Sequence, residues 1–306
     1  MVKKSLCKNY LVVLGLVVYI ITLVMNALAG RGSKSGPFHQ STGNVSKKYS
    51  TDITPAAWTF SIWGVIYIWQ AGWLVYACSG LCRRDTLAWM PSVLPCLFYL
   101  VWIINNLLNI SWLFLWDREC IIAALIFLAL ITFTSYLILF LSYRALHLQR
   151  PWMQKYRKVD LWLVRILVQN GVAVYATWTT VATLINFAIV LTYSGGITTA
   201  TSGTVSLSIL AFKVVYDQLL IIIFARRFNL ENFLFDKYVR YTLTVYPVII
   251  VALSGSVDRN YNTLSPTRNN IYIAVLLAAA CIAFAARVAI VTWRHFKRPL
   301  HQDMEN

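Results

Sequence analysis

The sequence consists of long apolar runs separated by short polar and basic stretches. Most runs hold about 20 residues, the length at which an α-helix crosses the hydrocarbon core of a bilayer. The predicted fold class is therefore an all-α, polytopic transmembrane bundle of about eight helices. The predicted spans are 11–29, 54–76, 91–116, 120–141, 161–193, 205–225, 241–253 and 271–293. The fifth run exceeds one span, so we expect its Arg165 end to protrude and the membrane to begin near Val168.

Composition and charge support a membrane protein. Of the 306 residues, 59% are apolar and only 12% are charged, with a mean hydropathy of +0.63. The net charge of +16 does not indicate nucleic-acid binding, because the basic residues lie mostly in the gaps between apolar runs, such as the basic connection 143–160. For eight spans with a cytosolic N-terminus, 17 Lys and Arg residues fall inside and 7 outside. This bias predicts a multi-pass protein with both termini in the cytosol.

The first run has a second interpretation. Three lysines precede it and it ends in an A-x-A sequence at 27–29, which is also typical of a cleaved secretory signal. We expect it to be retained as the first helix. If it were cleaved, seven helices would remain, as in a receptor. The six cysteines have no framework spacing and the four histidines lie in loops or the tail, so we expect no structural disulfide and no metal site.

The second span is rich in tryptophan and begins near Pro55, which suits a first helical turn. At about 100° per residue, Trp63, Tyr67, Gln70 and Leu74 share one face. Trp58, Trp69, Trp73 and Tyr76 share another. Tryptophans are common at bilayer interfaces, but Trp63 and Trp69 are closer to mid-span than that explanation requires.

Polar side chains also recur inside later spans. On the third span, Asn105, Asn109 and Trp112 share a face. On the fifth, Thr179, Thr183 and Asn186 share a face beside Trp178. Such residues either hydrogen-bond between helices or line a ligand site, and the pattern leaves both interpretations open.

The sixth span carries two charges one turn apart, Lys213 and Asp217. They form either a self-neutralising pair or a proton or ion relay. Such a relay would make the chain an ion- or proton-coupled solute transporter, which is the alternative to a ligand-binding protein. Paired catalytic carboxylates, a nucleotide loop, HExxH and GxSxG are not found, so we expect no enzymatic activity.

Three motifs occur in the order seen in one family. They are P-A-A-W-T-F-S-I-W-G-V-I-Y at 55–67, N-I-S-W at 109–112, and Trp178 followed by A-T-L-I-N-F at 182–187. The chain therefore resembles the TspO/MBR family of translocator proteins, or tryptophan-rich sensory proteins, over roughly residues 11–193. Two features depart from the family pattern: no proline follows Trp112, and the proline-rich start of the second helix is reduced to Pro55.

The resemblance implies two parts. Residues 1–193 would form a TspO-like five-helix core with the loop 30–53 as a lid. Residues 194–306 would add three further helices and a short cytosolic tail, as in longer relatives of the family. Such a core binds porphyrins and, in animal members, sterols, and translocates or senses them.

Carried over to this sequence, the ligand-binding candidates are Trp58, Trp63, Tyr67, Asn109, Trp112, Trp178, Thr183 and Asn186. Aromatic faces can stack on a flat ligand and amides can hold its polar edge. Porphyrin is expected as a ligand rather than a resident cofactor, with Arg31, Lys34, Lys47 and Lys48 as contacts for its carboxylates. The expected partners are the lipid bilayer and this hydrophobic small molecule, and a homodimer is an open alternative.

Overall fold

The computed structural model describes residues 2–33, 35–82, 93–227 and 238–297, with only the backbone for 2–8 and 215–227. The described chain is helical and contains no strand. Its α-helices are α1 (Val2–Arg31), α2 (Thr42–Lys48), α3 (Ile62–Cys82), α4 (Cys96–Asp117), α5 (Ile121–Tyr156), α6 (Lys158–Leu163), α7 (Gly171–Tyr193), α8 (Thr199–Arg227), α9 (Val245–Asn260) and α10 (Arg268–Lys297). A 3₁₀ turn, Ala57–Ser61, leads into α3, and a π-helical segment, Val164–Asn170, joins α6 to α7.

Six stretches of the described helices are long and apolar enough to cross a membrane. They are Asn9–Arg31, Ala57–Cys82, Cys96–Asp117, Ile121–Tyr156, Lys158–Tyr193 and Arg268–Lys297. The prediction of an all-α, polytopic bundle is confirmed. The remaining predicted spans correspond to α8 and α9. Helix α9 has 16 residues, or about 24 Å at 1.5 Å per residue, which is less than a full bilayer core.

Helix α7 lies at the centre of the bundle. It packs against α3, α5, α8 and α9. The N-terminal half of α7 is buried on all faces, as expected of a helix whose residues are mostly apolar on every side. In the flanking helices α1, α5 and α10, only 28%, 28% and 22% of an apolar 18-residue stretch is buried. The remaining apolar surface of these helices is left for lipid.

The buried side chains form two clusters along the bundle axis. One cluster contains Trp112 and Trp178 and lies towards the lid. The other contains Trp73 and Trp102 and lies towards the opposite end. Helix α1 joins the second cluster, where Tyr19 packs on Trp102 with ring centroids 5.7 Å apart. The first apolar run is therefore an integral part of the packed bundle.

Three predicted boundaries were wrong. Helical structure begins at Ala57 rather than near Pro55, because the Ala56 N–H donates to the Gly255 carbonyl and holds this backbone extended. The basic connection 143–160 is mostly helix, since α5 continues to Tyr156 and tolerates Pro151 in its last two turns. Helix α9 runs from Val245 rather than over 241–253, with a proline in its first turn.

Candidate functional site

Aromatic rings from two helices converge on Trp63. On α3, Tyr67 follows Trp63 by one turn and stacks on it with centroids 5.7 Å apart and planes at 20°. From α7, Tyr175 and Trp178 meet the Trp63 ring edge-on at 6.2 and 6.1 Å. Phe60 closes the group by packing edge-on to Trp178 at 6.3 Å. We call these five residues the aromatic cluster.

Three members of the aromatic cluster had been predicted from the sequence, namely Trp63, Tyr67 and Trp178. The other two, Phe60 and Tyr175, were missed. Each stands three residues before a predicted tryptophan, so helical spacing alone could have placed it on the same face.

Amide side chains border the aromatic cluster. Asn26 of α1 donates through Nδ2 to Oδ1 of Asn109 on α4, at 2.8 Å. The hydroxyl groups of Tyr67 and Tyr175 lie beside the Asn109 amide. The predicted residue Asn109 therefore reaches the cluster, whereas Asn26, a lone amide in the first apolar run, is not predicted from the sequence.

Asn105 makes different contacts from those of Asn109. Its amide donates to the Ile131 carbonyl at 2.9 Å and to the hydroxyl oxygens of Thr134 and Ser135 at 2.8 and 3.0 Å. These bonds join α4 to α5. Asn105 and Asn109 thus both tie helices together, to α5 and α1 respectively, and Asn109 also borders the aromatic cluster.

Several of the predicted residues carry buried polar atoms without hydrogen-bond partners among the described residues. These atoms are the indole nitrogens of Trp112 and Trp178 and both amide atoms of Asn186. Leaving such a group unsatisfied costs about 1–3 kcal/mol, so each position calls for an explanation. Polar atoms of a bound molecule are one way to satisfy them.

The lid covers the end of the bundle next to these residues. Phe38 is buried and stacks on Phe114 of α4 with ring centroids 4.8 Å apart. The Trp116 indole donates to the Thr42 carbonyl at 3.2 Å, and its ring stacks on Trp112 at 5.7 Å. The lid therefore contacts the helix that carries two of the predicted site residues, Asn109 and Trp112.

Two carboxylates anchor the lid. Asp117, the last residue of α4, accepts from the Gln40 backbone N–H at 2.8 Å through Oδ1. Glu119, in the turn between α4 and α5, accepts hydrogen bonds from the Gln40 amide and the Tyr49 hydroxyl, both at 2.8 Å, and pairs with Lys48. These bonds from Gln40, Lys48 and Tyr49 lower the pKa of Glu119 to about 2. Lys48 is thus engaged in closing the lid, while Arg31 and Lys47 remain exposed and Lys34 lies outside the described residues.

Besides Asn109, Trp112 and Asn186, two further predicted candidates, Trp58 and Thr183, lie outside the aromatic cluster. Trp58 is half exposed and donates its indole N–H to Oδ2 of Asp258 on α9, at 2.9 Å. Thr183 faces α5, where its hydroxyl oxygen lies 3.0 Å from that of Thr132. The structure brings neither residue to Trp63.

The predicted charge relay is described only in part. The Lys213 ammonium lies over the Tyr136 ring at 5.3 Å from its centroid. The side chain of Asp217 lies outside the described residues, so a Lys213–Asp217 relay stays a prediction. Within the described ranges, no cluster of three His, Cys, Asp or Glu side chains could hold a metal ion.

Long apolar helices around a buried aromatic and amide cluster define a multi-pass integral membrane protein. Its sequence matches the family model for TSPO-like proteins over residues 12–287, and the chain belongs to this family. The family resemblance is thereby confirmed. The match also continues past residue 193 through α8, α9 and most of α10. Searches of curated proteins and of solved structures give no match.

Proposed function

We propose that this protein binds a flat, hydrophobic molecule, such as a porphyrin or a sterol, between α3, α4 and α7 beneath the lid. The observation that carries the proposal is the set of buried, unpartnered polar atoms on Trp112, Trp178 and Asn186, of which Trp178 belongs to the aromatic cluster. Ligand sites in proteins combine a largely apolar lining with a few placed polar groups. Family membership supports the same class of ligand.

The bound molecule would use two kinds of contact. Its flat apolar body would replace ring-to-ring contacts around Trp63, and its polar edge would accept from the two indole N–H groups and bond with the Asn186 amide. The protein would act by binding, and by translocating or sensing the ligand, without catalysis. We further propose that both termini face the cytosol, which places the lid on the opposite side of the membrane.

The first test is a binding titration with the purified full-length protein. Protoporphyrin and cholesterol are the probes, and saturable quenching of tryptophan fluorescence or retention of labelled sterol is the readout. Trp63→Ala together with Asn186→Ala should weaken binding about tenfold or more, because a buried aromatic anchor and a polar contact are both lost. Trp293→Ala is the matched control, since this half-exposed α10 tryptophan lies outside the aromatic cluster.

A second variant separates binding from folding. Asn186→Leu removes the unpartnered amide while keeping similar volume. Without ligand it should leave the melting temperature unchanged or raise it by a few degrees, because an unsatisfied buried amide is gone. The same change should weaken ligand binding. No saturable binding by the wild type, or unaltered affinity in both variants, would contradict the proposed function.

A further inference from the structure

Arginines are buried at the end of the bundle opposite the lid. Arg150 of α5, Arg165 of the π-helical segment, Arg240 and Arg287 of α10 each have at most 6% of their surface exposed. Arg165 lies within electrostatic range of Arg150 and Arg240, and Arg287 donates to the Val239 and Arg240 carbonyls at 2.9 and 3.4 Å. Four separate parts of the chain therefore bring positive charge to one place.

A small cleft opens beside these arginines. Its lining includes Tyr143, His147, Arg150, Arg165, Gln169 and Tyr241. The described lining contains two guanidinium groups, an imidazole, hydroxyls and an amide, and no carboxylate. The chemistry of this cleft is that of a site for a negatively charged molecule.

Two lining residues point most directly to an anion. The Arg165 guanidinium rests on the rings of Tyr241 and Trp162, at 4.4 and 5.0 Å from their centroids, and no described carboxylate lies within ion-pair distance of it. Gln169, only 3% exposed, has an amide nitrogen with no hydrogen-bond partner in the described chain. A buried cation and a buried donor in the same cleft could both be satisfied by one anionic group.

The backbone places both groups at the cleft. Arg165 and Gln169 belong to the π-helical segment Val164–Asn170, a widened turn of a kind that recurs at functional sites. Asn170 fixes this segment to the neighbouring chain, since its amide donates to the Tyr241 carbonyl and accepts from the Leu243 N–H, at 2.9 and 3.0 Å. The widened turn and Tyr241 are thus held together as one wall.

We propose that this cleft binds a phosphate group. The planar guanidinium of Arg165 matches two phosphate oxygens, and the Gln169 amide can donate to a third. The excess of basic residues at this end places the cleft at the cytosolic leaflet, where anionic headgroups are concentrated. The phosphate could belong to an anionic lipid headgroup or to a free phosphate, and the experiment separates these sources.

The experiment measures thermal stabilisation of the purified full-length protein in neutral phosphatidylcholine nanodiscs. Phosphatidic acid is titrated into the bilayer in one series, and inorganic phosphate is added to the buffer in the other. Stabilisation only by phosphatidic acid identifies a headgroup site, and stabilisation by both identifies a site for phosphate itself. Arg165→Gln should weaken the response about tenfold or more, because a charge-assisted hydrogen bond is lost.

Two further variants keep the test decisive. Gln169→Leu retains the net charge and should also weaken the thermal stabilisation by the ligand. This variant replaces Arg165→Gln in the test if Arg165→Gln does not fold. Lys158→Gln removes one charge from an exposed residue on the same side and should respond like the wild type. No stabilisation by either ligand, or an equal loss in Lys158→Gln and Arg165→Gln, would overturn the phosphate site.

Discussion

At the residue scale, the most informative side chains are those that are buried without being satisfied. Asn186 is 3% exposed, and neither of its amide atoms has a partner among the described residues. A stable bundle would gain from an apolar residue at this position, since an unsatisfied amide costs about 1–3 kcal/mol. Packing of the described helices alone does not satisfy this amide, in contrast to that of Asn105, whose nitrogen donates to three acceptors on α5.

Sequence patterns could identify these residues but not their partners. Helical spacing placed Asn105 and Asn109 on one face of the third span, yet they contact different helices, α5 and α1. Which neighbour a side chain meets depends on how the helices pack, and intramembrane polar residues look alike in sequence in both cases. For the same reason Trp58 matched the family motif but lies against Asp258 instead of Trp63.

Glu119 gives a prediction about acid and the lid. Its pKa is lowered to about 2 by the bonds from Gln40, Lys48 and Tyr49, against an ordinary value of 4.5. A lowered pKa means that the ionised form stabilises the closed lid, fully above about pH 4.5, and that this contribution is lost as the pH falls towards 2. Pepsin should therefore cut the lid of the wild type faster as the pH falls from 4.5 to 2.5.

The Glu119→Gln variant should lose this dependence. Its lid should be cut several-fold faster at pH 4.5 and should change little on further acidification, once rates are normalised to an unstructured peptide. Lys47→Gln removes a charge from an exposed residue of the lid that does not contact Glu119 and should behave like the wild type. Identical acid profiles for Glu119→Gln and the wild type would show that Glu119 does not hold the lid.

At the element scale, the widened turn before α7 depends on a close approach by tryptophan. Trp69 of α3 donates its indole N–H to the Ile166 carbonyl at 3.1 Å. A Cβ atom on Gly171 would lie 2.7 Å from Cδ1 of this ring. Glycine at 171 therefore allows α3 to pack on the π-helical segment. The length of the fifth run predicts that the membrane begins near Val168, but no sequence pattern specifies a π-helix.

Replacing this glycine should be costly. Gly171→Ala is expected to displace the Trp69 ring and to destabilise the protein by about 1–3 kcal/mol, because overpacking a close contact forces side chains and backbone apart. Thermal unfolding in detergent measures the change. Gly64→Ala is the matched control, since a Cβ on this α3 glycine has nothing within 4 Å and alanine favours helix by up to about 1 kcal/mol. Equal melting temperatures for the two variants would exclude the close approach.

At the scale of the whole molecule, α9 attaches the C-terminal helices to the segment that leads into α3. The Ala56 N–H donates to the Gly255 carbonyl at 2.9 Å, and the Ser256 hydroxyl and the Asn260 amide donate to the carbonyls of Ile53 and Thr54 at 3.0 and 2.9 Å. Each of these three contacts involves at least one backbone group, and backbone groups have no sequence signature. The division at residue 193 stays a prediction, but these bonds show that the later helices contact the segment preceding the site.

This attachment predicts that a substitution in α9 will affect ligand binding. A Cβ on Gly255 would lie 1.8 Å from Oγ1 of Thr59, which is fully buried and adjacent to Phe60 of the aromatic cluster. Gly255→Ala should push this segment away, lower stability by about 1–3 kcal/mol and loosen the contact between Phe60 and Trp178. Porphyrin or sterol affinity should then fall several-fold, although residue 255 is not a proposed ligand contact. Gly64→Ala is the control and should bind the ligand with wild-type affinity in the same titration. If Gly255→Ala is destabilised but also binds with wild-type affinity, the C-terminal helices support the fold without shaping the site.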